Sequence, residues 1–210
     1  PKAALLVTGS ELASLGRHLR PGMIYDSNGP MLEAALAEEG ITARARRVKD
    51  EPAILKKELS LALLSSDLLL ISGGVSVGDA DHSRRLLGEL GVQTLFWGVA
   101  QKPGKPLFFG RKGRTLVFGL PGNPAAAWIC FHQYVKPLLS GVTPSQTLRA
   151  DKTPKADPKK TLFLKARRVG SVVELLGGQQ SHMLGALAEA DALARVEPGS
   201  RSRSLELQSL

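Results

Sequence analysis

Short unbroken apolar runs alternate with amphipathic stretches over the first two thirds of the chain. Ala3–Thr8 and residues 41–48, 68–71 and 92–97 read as strands. The third of these has no polar position, as expected of a strand covered on both faces by helices in a parallel sheet. The second is less uniform, with basic residues alternating from Arg44 to Arg47. Between the strands lie helical patterns. Met31, Leu32, Ala35 and Leu36 fall on one stripe of a helix that Asp26 or Ser27 can cap and Gly40 can stop. Leu55, Leu59 and Ala62 line another, opened by Pro52 in its first turn. A third is predicted over residues 81–90, with Asp79, Asp81 and Ser83 as cap candidates. Residues 106–110 and 115–119 read as paired strands, and a long apolar helix is predicted over 124–139, with Asn123 as its cap. Strand and helix in this alternation predict an α/β domain, three layers deep, around a doubly wound and mostly parallel sheet.

The pattern changes near Gly141. Pro, Thr, Asp and Lys dominate the next twenty residues or so, which read as a linker. Beyond it, residues 162–169, 172–176 and 205–207 look like short strands separated by glycine turns. The predicted organisation is an α/β domain over residues 1–143, a linker over 144–160 and a small C-terminal β domain over 161–210.

Charge narrows the range of partners. The net charge is +9, with 17 basic against 12 acidic residues up to Ser140 and 11 against 7 beyond, so both parts are mildly basic and neither holds a concentrated patch. The densest cluster is Arg44, Arg46 and Arg47, and two tryptophans and two tyrosines offer little stacking surface. A nucleic-acid binder concentrates such features, so an anionic small molecule fits the balance better. A single cysteine, Cys130, excludes an internal disulfide framework and fits a reducing compartment. Without a membrane-length apolar run or a signal peptide at the start, the expected location is the cytoplasm. The chain opens on Pro1 directly before a strand, so an upstream portion is expected.

Candidate chemistry gathers at the strand ends. Ser72-Gly-Gly-Val-Ser-Val-Gly78 supplies three glycines and two serines where the central strand meets a helix, allowing backbone N–H groups to approach a phosphate or other oxyanion. Asp79 and Asp81 beside such an anion imply a divalent cation between them. Read plainly, the same stretch is a strand-to-helix turn with aspartate caps. Thr8-Gly9-Ser10 repeats the strand-to-glycine arrangement. Lys102 and Lys105 bracket Pro103-Gly104 and are held on one rigid loop, able to grip an anion from two directions; solvated surface lysines are the plainer alternative. Leu120-Pro-Gly-Asn-Pro124 is a third turn whose free N–H groups precede a helix. His182, in the Gly177-to-Gly185 segment, has no second ligand at metal spacing and reads as structural.

Five of these motifs stand in one order: Thr8-Gly-Ser-Glu-Leu12, Ile24-Tyr-Asp-Ser-Asn28, Ser72 to Asp81, Lys102-Pro-Gly-Lys-Pro106 and Gly119-Leu-Pro-Gly-Asn-Pro124. In that order and spacing the chain closely resembles the MoeA family of molybdopterin molybdenumtransferases, to which the gephyrin E domain is related. The resemblance implies a molybdopterin-binding α/β domain followed by a C-terminal β-barrel. It also implies magnesium-dependent insertion of molybdate into adenylylated molybdopterin, with release of AMP. Carried over by position, it makes Asp50 and Asp81 the acidic, magnesium-facing pair and Lys102 and Lys105 the anion-gripping pair. Thr8, Gly9, Ser10, Ser72, Gly73, Gly74, Ser76, Gly78, Pro121, Gly122 and Asn123 would surround the pterin phosphate and nucleotide. Family members have two further N-terminal domains, including a dimerisation arm, that this sequence lacks, so a homodimer and a MogA-like partner are expectations for the longer protein. Gly98 stands where the family often has lysine, and Ala126 where serine is usual. The alternatives are a MogA-like or CinA-like nucleotide or molybdopterin domain, and a gephyrin-like scaffold.

Overall fold

The computed structural model describes residues 1–74, 82–141, 145–180 and 185–209. By contacts in space the chain forms two compact units, Pro1–Gly98 with Pro106–Gly122, and Val99–Lys105 with Asn123–Leu210.

In chain order the first unit contains β1 (Ala3–Thr8), β2 (Leu12–Ala13), β3 (Ile24–Tyr25), α1 (Asn28–Glu38), β4 (Ala45–Val48), α2 (Pro52–Ser65), β5 (Leu68–Ser72), α3 (His82–Glu89) and β6 (Gln93–Trp97). The short β7 (Gln101–Lys102) belongs to the other unit, and β8 (Phe108–Lys112) and β9 (Thr115–Leu120) return to the first. Six strands form one sheet in the order β4-β1-β5-β9-β8-β6. The pairs β4/β1, β1/β5 and β5/β9 are parallel, whereas β8 runs antiparallel to both its neighbours. The reason for the reversed strand is local: β8 and β9 are joined by a tight turn through Gly113, whose φ of 56° suits glycine, and so short a link permits only an antiparallel pair. The central strand β5 is buried at every residue, as its unbroken apolar run predicts. Leu55, Leu59 and Ala62 of α2 pack with Leu69, Ile71 and Val117 in the core beneath it.

Several ends differ from expectation. β4 begins at Ala45, four residues later than the apolar pattern predicts. Asp26 does serve α1, its Oδ1 accepting the Gly29 N–H at 2.9 Å, while Ser27 stands at the cap position without a side-chain cap bond. The basic cluster before α2 is partly neutralised, with Arg44 paired to Glu33 and Arg46 to Glu58.

In the second unit the predicted single helix over 124–139 is broken into α4 (Pro124–Cys130), a π-helical turn (Phe131–Val135) and α5 (Lys136–Ser140). Pro137 explains the break. It has no N–H to offer the carbonyl of Gln133 and its ring crowds that turn, so the helix widens before it. β10 (Ser145–Ala150) lies in the stretch read as linker. It joins β11 (Thr161–Val169), β12 (Val172–Leu175), β13 (Ala192–Val196) and β14 (Ser204–Ser209), with the four-residue helix α6 (Gly185–Ala188) before β13. The order β12-β10-β14-β13-β11, with β11 pairing back to β12, closes a five-stranded barrel. Ala150, Leu162, Ala166, Val173, Ala194, Val196 and Leu205 fill it. β7 adds to β11 in parallel, and Ile129 of α4 packs with Phe163 and Leu193.

Candidate functional site

In the first unit, β1, β4, β5 and β9 are parallel, so their carboxyl ends lie on one edge of the sheet. Thr8, Asp50, Ser72 and Pro121 therefore emerge together, the arrangement by which open α/β sheets form ligand sites. Asn28, which opens α1, ties this edge together. It is 6% exposed, and its Nδ2 donates to Ser72 Oγ at 2.7 Å and to the Gly122 carbonyl at 2.9 Å. Ser72 Oγ lies 3.5 Å from the Pro121 carbonyl, and the Gly73 N–H donates to the Leu120 carbonyl at 3.2 Å. The glycine loop is thus partly wired to the β9 turn, and the Gly73 amide expected to face a ligand is committed to the fold instead.

What is left unmet at this edge is side-chain oxygen. Thr8 Oγ1, Asn28 Oδ1 and Ser83 Oγ are buried and have no hydrogen-bond partner among the described residues. The two hydroxyls flank Gly74: a methyl placed there would lie 2.6 Å from Ser83 Oγ and 2.9 Å from Thr8 Oγ1. Leaving such groups unpaired costs about 1–3 kcal/mol each, which a polar ligand can recover. A methyl at Gly73 would meet the Thr8 carbonyl oxygen at 2.4 Å, so glycine is required by close approach as well as by its φ of 86°.

Asp50 follows β4, and its Oδ2 accepts the Ser10 N–H at 3.1 Å. That bond draws the Thr8-to-Ser10 loop toward the end of β4. Asp50 is not the cap of α2, a place held by Glu51 without a side-chain bond. Ser76, Gly78, Asp79 and Asp81 lie outside the described residues, so the acidic pair is represented by Asp50. No cluster of three His, Cys, Asp or Glu side chains able to hold a metal occurs among the described residues.

In the second unit, Lys102 and Lys105 are exposed at the ends of a turn through Pro103 and Gly104, with a cis Lys102–Pro103 bond. Lys102 is opposite Leu162 at the edge of the barrel sheet, and the Lys105 carbonyl accepts the Val99 N–H at 3.0 Å. Asn123 stands at the cap of α4 but makes no side-chain cap bond, and its Oδ1 is buried without a partner among the described residues. Burial pushes the Cys130 thiol up to about 12, so this cysteine is a core donor and no nucleophile. Lys165, 2% exposed on β11, donates from Nζ to the carbonyls of Gly178 at 2.5 Å and Gln180 at 3.1 Å, and burial lowers its pKa. Sequence reading passed over Asn28 as a site builder. Asn28 stood inside a quoted motif, and that was its available signal.

This is the architecture of a molybdopterin-binding α/β domain carrying a β-barrel. Residues 4–141 match the family described as "Probable molybdopterin binding domain" and residues 147–204 match "MoeA C-terminal region (domain IV)", and the chain belongs to this MoeA-type molybdopterin-binding family. It is 33% identical to a molybdopterin molybdenumtransferase of Staphylococcus epidermidis and 31% identical to that of Bacillus subtilis, in each case over 96% of this chain and 51% and 50% of the relative. A MoeA crystal structure from Pyrococcus horikoshii superposes over 100% of this chain and 54% of its own, with a TM-score of 0.83 at 27% identity. The chain spans about half the length of these relatives. Among the described residues no helix is long and apolar enough to cross a membrane.

Proposed function

We propose that this chain is the molybdopterin-binding and C-terminal part of a molybdopterin molybdenumtransferase, which inserts molybdate into adenylylated molybdopterin and releases AMP. The observation that carries the reading is the set of buried oxygens of Thr8, Asn28 and Ser83, without partners among the described residues, beside Gly73 and Gly74, where an added methyl would clash. Such oxygens favour a ligand rich in hydrogen-bonding groups, as a pterin phosphate is. Thr8, Gly9, Ser10, Ser72, Gly73, Gly74, Ser76 and Gly78, with Pro121, Gly122 and Asn123, would line the pterin phosphate and nucleotide. Lys102 and Lys105 would orient the anions as point charges.

Magnesium fits this donor set. It binds through one or two carboxylates and substrate phosphates, retaining several waters, and Asp50 with Asp81 would supply those carboxylates. The ion would offset the charge of phosphate and molybdate. Asp50 also holds the Ser10 amide, so the loop beside the phosphate and the acidic group are set by one contact. In the longer protein we expect a homodimer and a MogA-like partner that supplies the adenylylated substrate. The 210-residue chain should fold but insert molybdate poorly when alone.

The test is Asp50→Asn and, separately, Asp81→Asn in a protein that includes the N-terminal domains typical of the family. Asn keeps an oxygen for the Ser10 N–H, so thermal unfolding should stay near wild type while cofactor reconstitution over a magnesium titration is lost. Retained activity in both variants would remove the acidic pair from the site.

A further inference from the structure

The lysine turn is held from beneath by three side chains to which no role has been given. Gln101 is 3% exposed, and its Nε2 donates to the Pro103 carbonyl at 2.9 Å and lies 3.6 Å from Cys130 Sγ. Its Oε1 accepts a short hydrogen bond from the Tyr134 hydroxyl. The Cys130 thiol donates in turn to the Gly104 carbonyl at 3.6 Å. Both carbonyls between the two lysines are therefore taken by buried side chains. Backbone in a turn beyond the end of a strand ordinarily finds water, so this is an uncommon degree of fixation for a surface loop. The fit is tight: Gly104 has a φ of 96°, and a methyl there would lie 2.5 Å from Cys130 Sγ and 2.6 Å from Gln101 Nε2.

We propose that Gln101, supported by Tyr134 and Cys130, is a positioning residue that fixes the spacing of Lys102 and Lys105 for an oxyanion. The inference rests on the anion-gripping role of the two lysines. Two flexible cationic chains lose entropy on closing around an anion, and a backbone already fixed at both stems lowers that cost. The amide suits the task because it donates and accepts at once and brings no charge. A carboxylate at this position would repel the Pro103 carbonyl and oppose the anion. The π-helical turn is part of the device, since Cys130 precedes it and Tyr134 lies within it.

Molybdate binding to the 210-residue chain, followed by calorimetry at low ionic strength, provides the test, with amide exchange at Lys102, Gly104 and Lys105 read alongside. Removing one donor should weaken binding about fivefold in Tyr134→Phe and Cys130→Ala, and removing the whole amide about tenfold in Gln101→Leu, with faster exchange at the three amides. Cys130→Ser retains a donor and should restore both readouts, which general damage to the core would not predict. Gln101→Glu should bind more weakly than Gln101→Leu. Wild-type affinity in Gln101→Leu and Tyr134→Phe, with binding lost in the Lys102→Ala/Lys105→Ala double variant, would overturn the positioning role and leave the lysine reading standing. Unchanged affinity in the double variant, or no binding by the unaltered chain, would overturn both. Equal losses in Cys130→Ser and Cys130→Ala would also overturn it.

Discussion

The strand-end edge of the first unit and the lysine turn of the second present polar groups in opposite ways. At the strand ends of the α/β unit, three buried oxygens, on Thr8, Asn28 and Ser83, have no partner among the described residues. At the lysine turn of the second unit the buried side chains of Gln101 and Cys130 and the half-buried Tyr134 satisfy one another and the turn, and the charges of Lys102 and Lys105 are exposed. The first arrangement stores unfavourable desolvation that a polar ligand would relieve. The second stores no deficit and offers only charge. A site of the first kind discriminates by the loss incurred when a hydrogen-bonding group is missing, whereas one of the second kind attracts anions with little regard to shape.

This contrast can be broken most severely at Gly73. Gly73→Ala places a methyl against the Thr8 backbone at a left-handed φ, and should cost about 3–5 kcal/mol in urea unfolding. A cost under about 1 kcal/mol would mean that the loop is not pressed on β1 as described.

In the second unit the comparable weak point is His132. Burial and then Lys136 hold its pKa down at about 4 from the usual 6.5, with its ring 3.9 Å from that of Trp128. The folded imidazole stays neutral while the unfolded one takes up a proton. Its contribution is therefore fully present above pH 6.5 and is lost as pH falls toward 4, up to about 3 kcal/mol. Unfolding measured from pH 7 to 4 should show this slope, and His132→Gln should flatten it. An unchanged slope would assign the acid sensitivity to other groups.

Asn28 sharpens the comparison further. Asn28→Ala frees Ser72 Oγ and the Gly122 carbonyl from their shared donor and should cost about 2 kcal/mol, with weakened pterin binding. Asn28→Asp should fare no better, because a carboxylate faces the Gly122 carbonyl. Stability equal to wild type in both would show that the two hydrogen bonds carry little.

The smallest effect on stability belongs to the lysines. Lys102→Ala and Lys105→Ala should each unfold within about 0.5 kcal/mol of wild type, since both side chains are exposed. Each should nevertheless weaken binding of molybdate or adenylylated molybdopterin by about 1.5–3 kcal/mol. Calorimetry showing unchanged affinity would return them to the solvated surface.

The sheet was legible in the sequence because β1 and β5 are short apolar runs that end in glycine turns, and the α2 stripe follows helical spacing. The barrel was less so. β10 reads Ser-Gln-Thr-Leu-Arg-Ala and exposes most of its residues, so its pattern is polar although Ala150 is fully buried. β13 lies in an alanine-rich stretch that favours helix locally, and closure against β11 and β14 overrides that preference. In the candidate site, the glycines and the lysines were marked by residue type and spacing, and Asp50 by the family resemblance. Asn28 was not, because Asp26 and Ser27 already explained the helix start, while its own partners are 44 and 94 residues away. Gln101 was missed for the same reason, since Cys130 and Tyr134 matter to it only through folding.

The weave of the backbone also limits how such a protein can be cut and recombined. The chain passes from one compact unit to the other after Gly98, Lys105 and Gly122, so neither unit is a continuous ribbon. A splice at residue 141, where the matched molybdopterin-binding segment ends, would part α4 from Phe163 and Leu193 and leave β7 without β11. Chimeras that exchange the C-terminal half between relatives at that joint inherit a barrel from one parent and its supporting helix and edge strand from the other. Exchange at the three crossings would keep each unit of single ancestry, so shuffling at the sequence boundary should be tolerated only between close homologues.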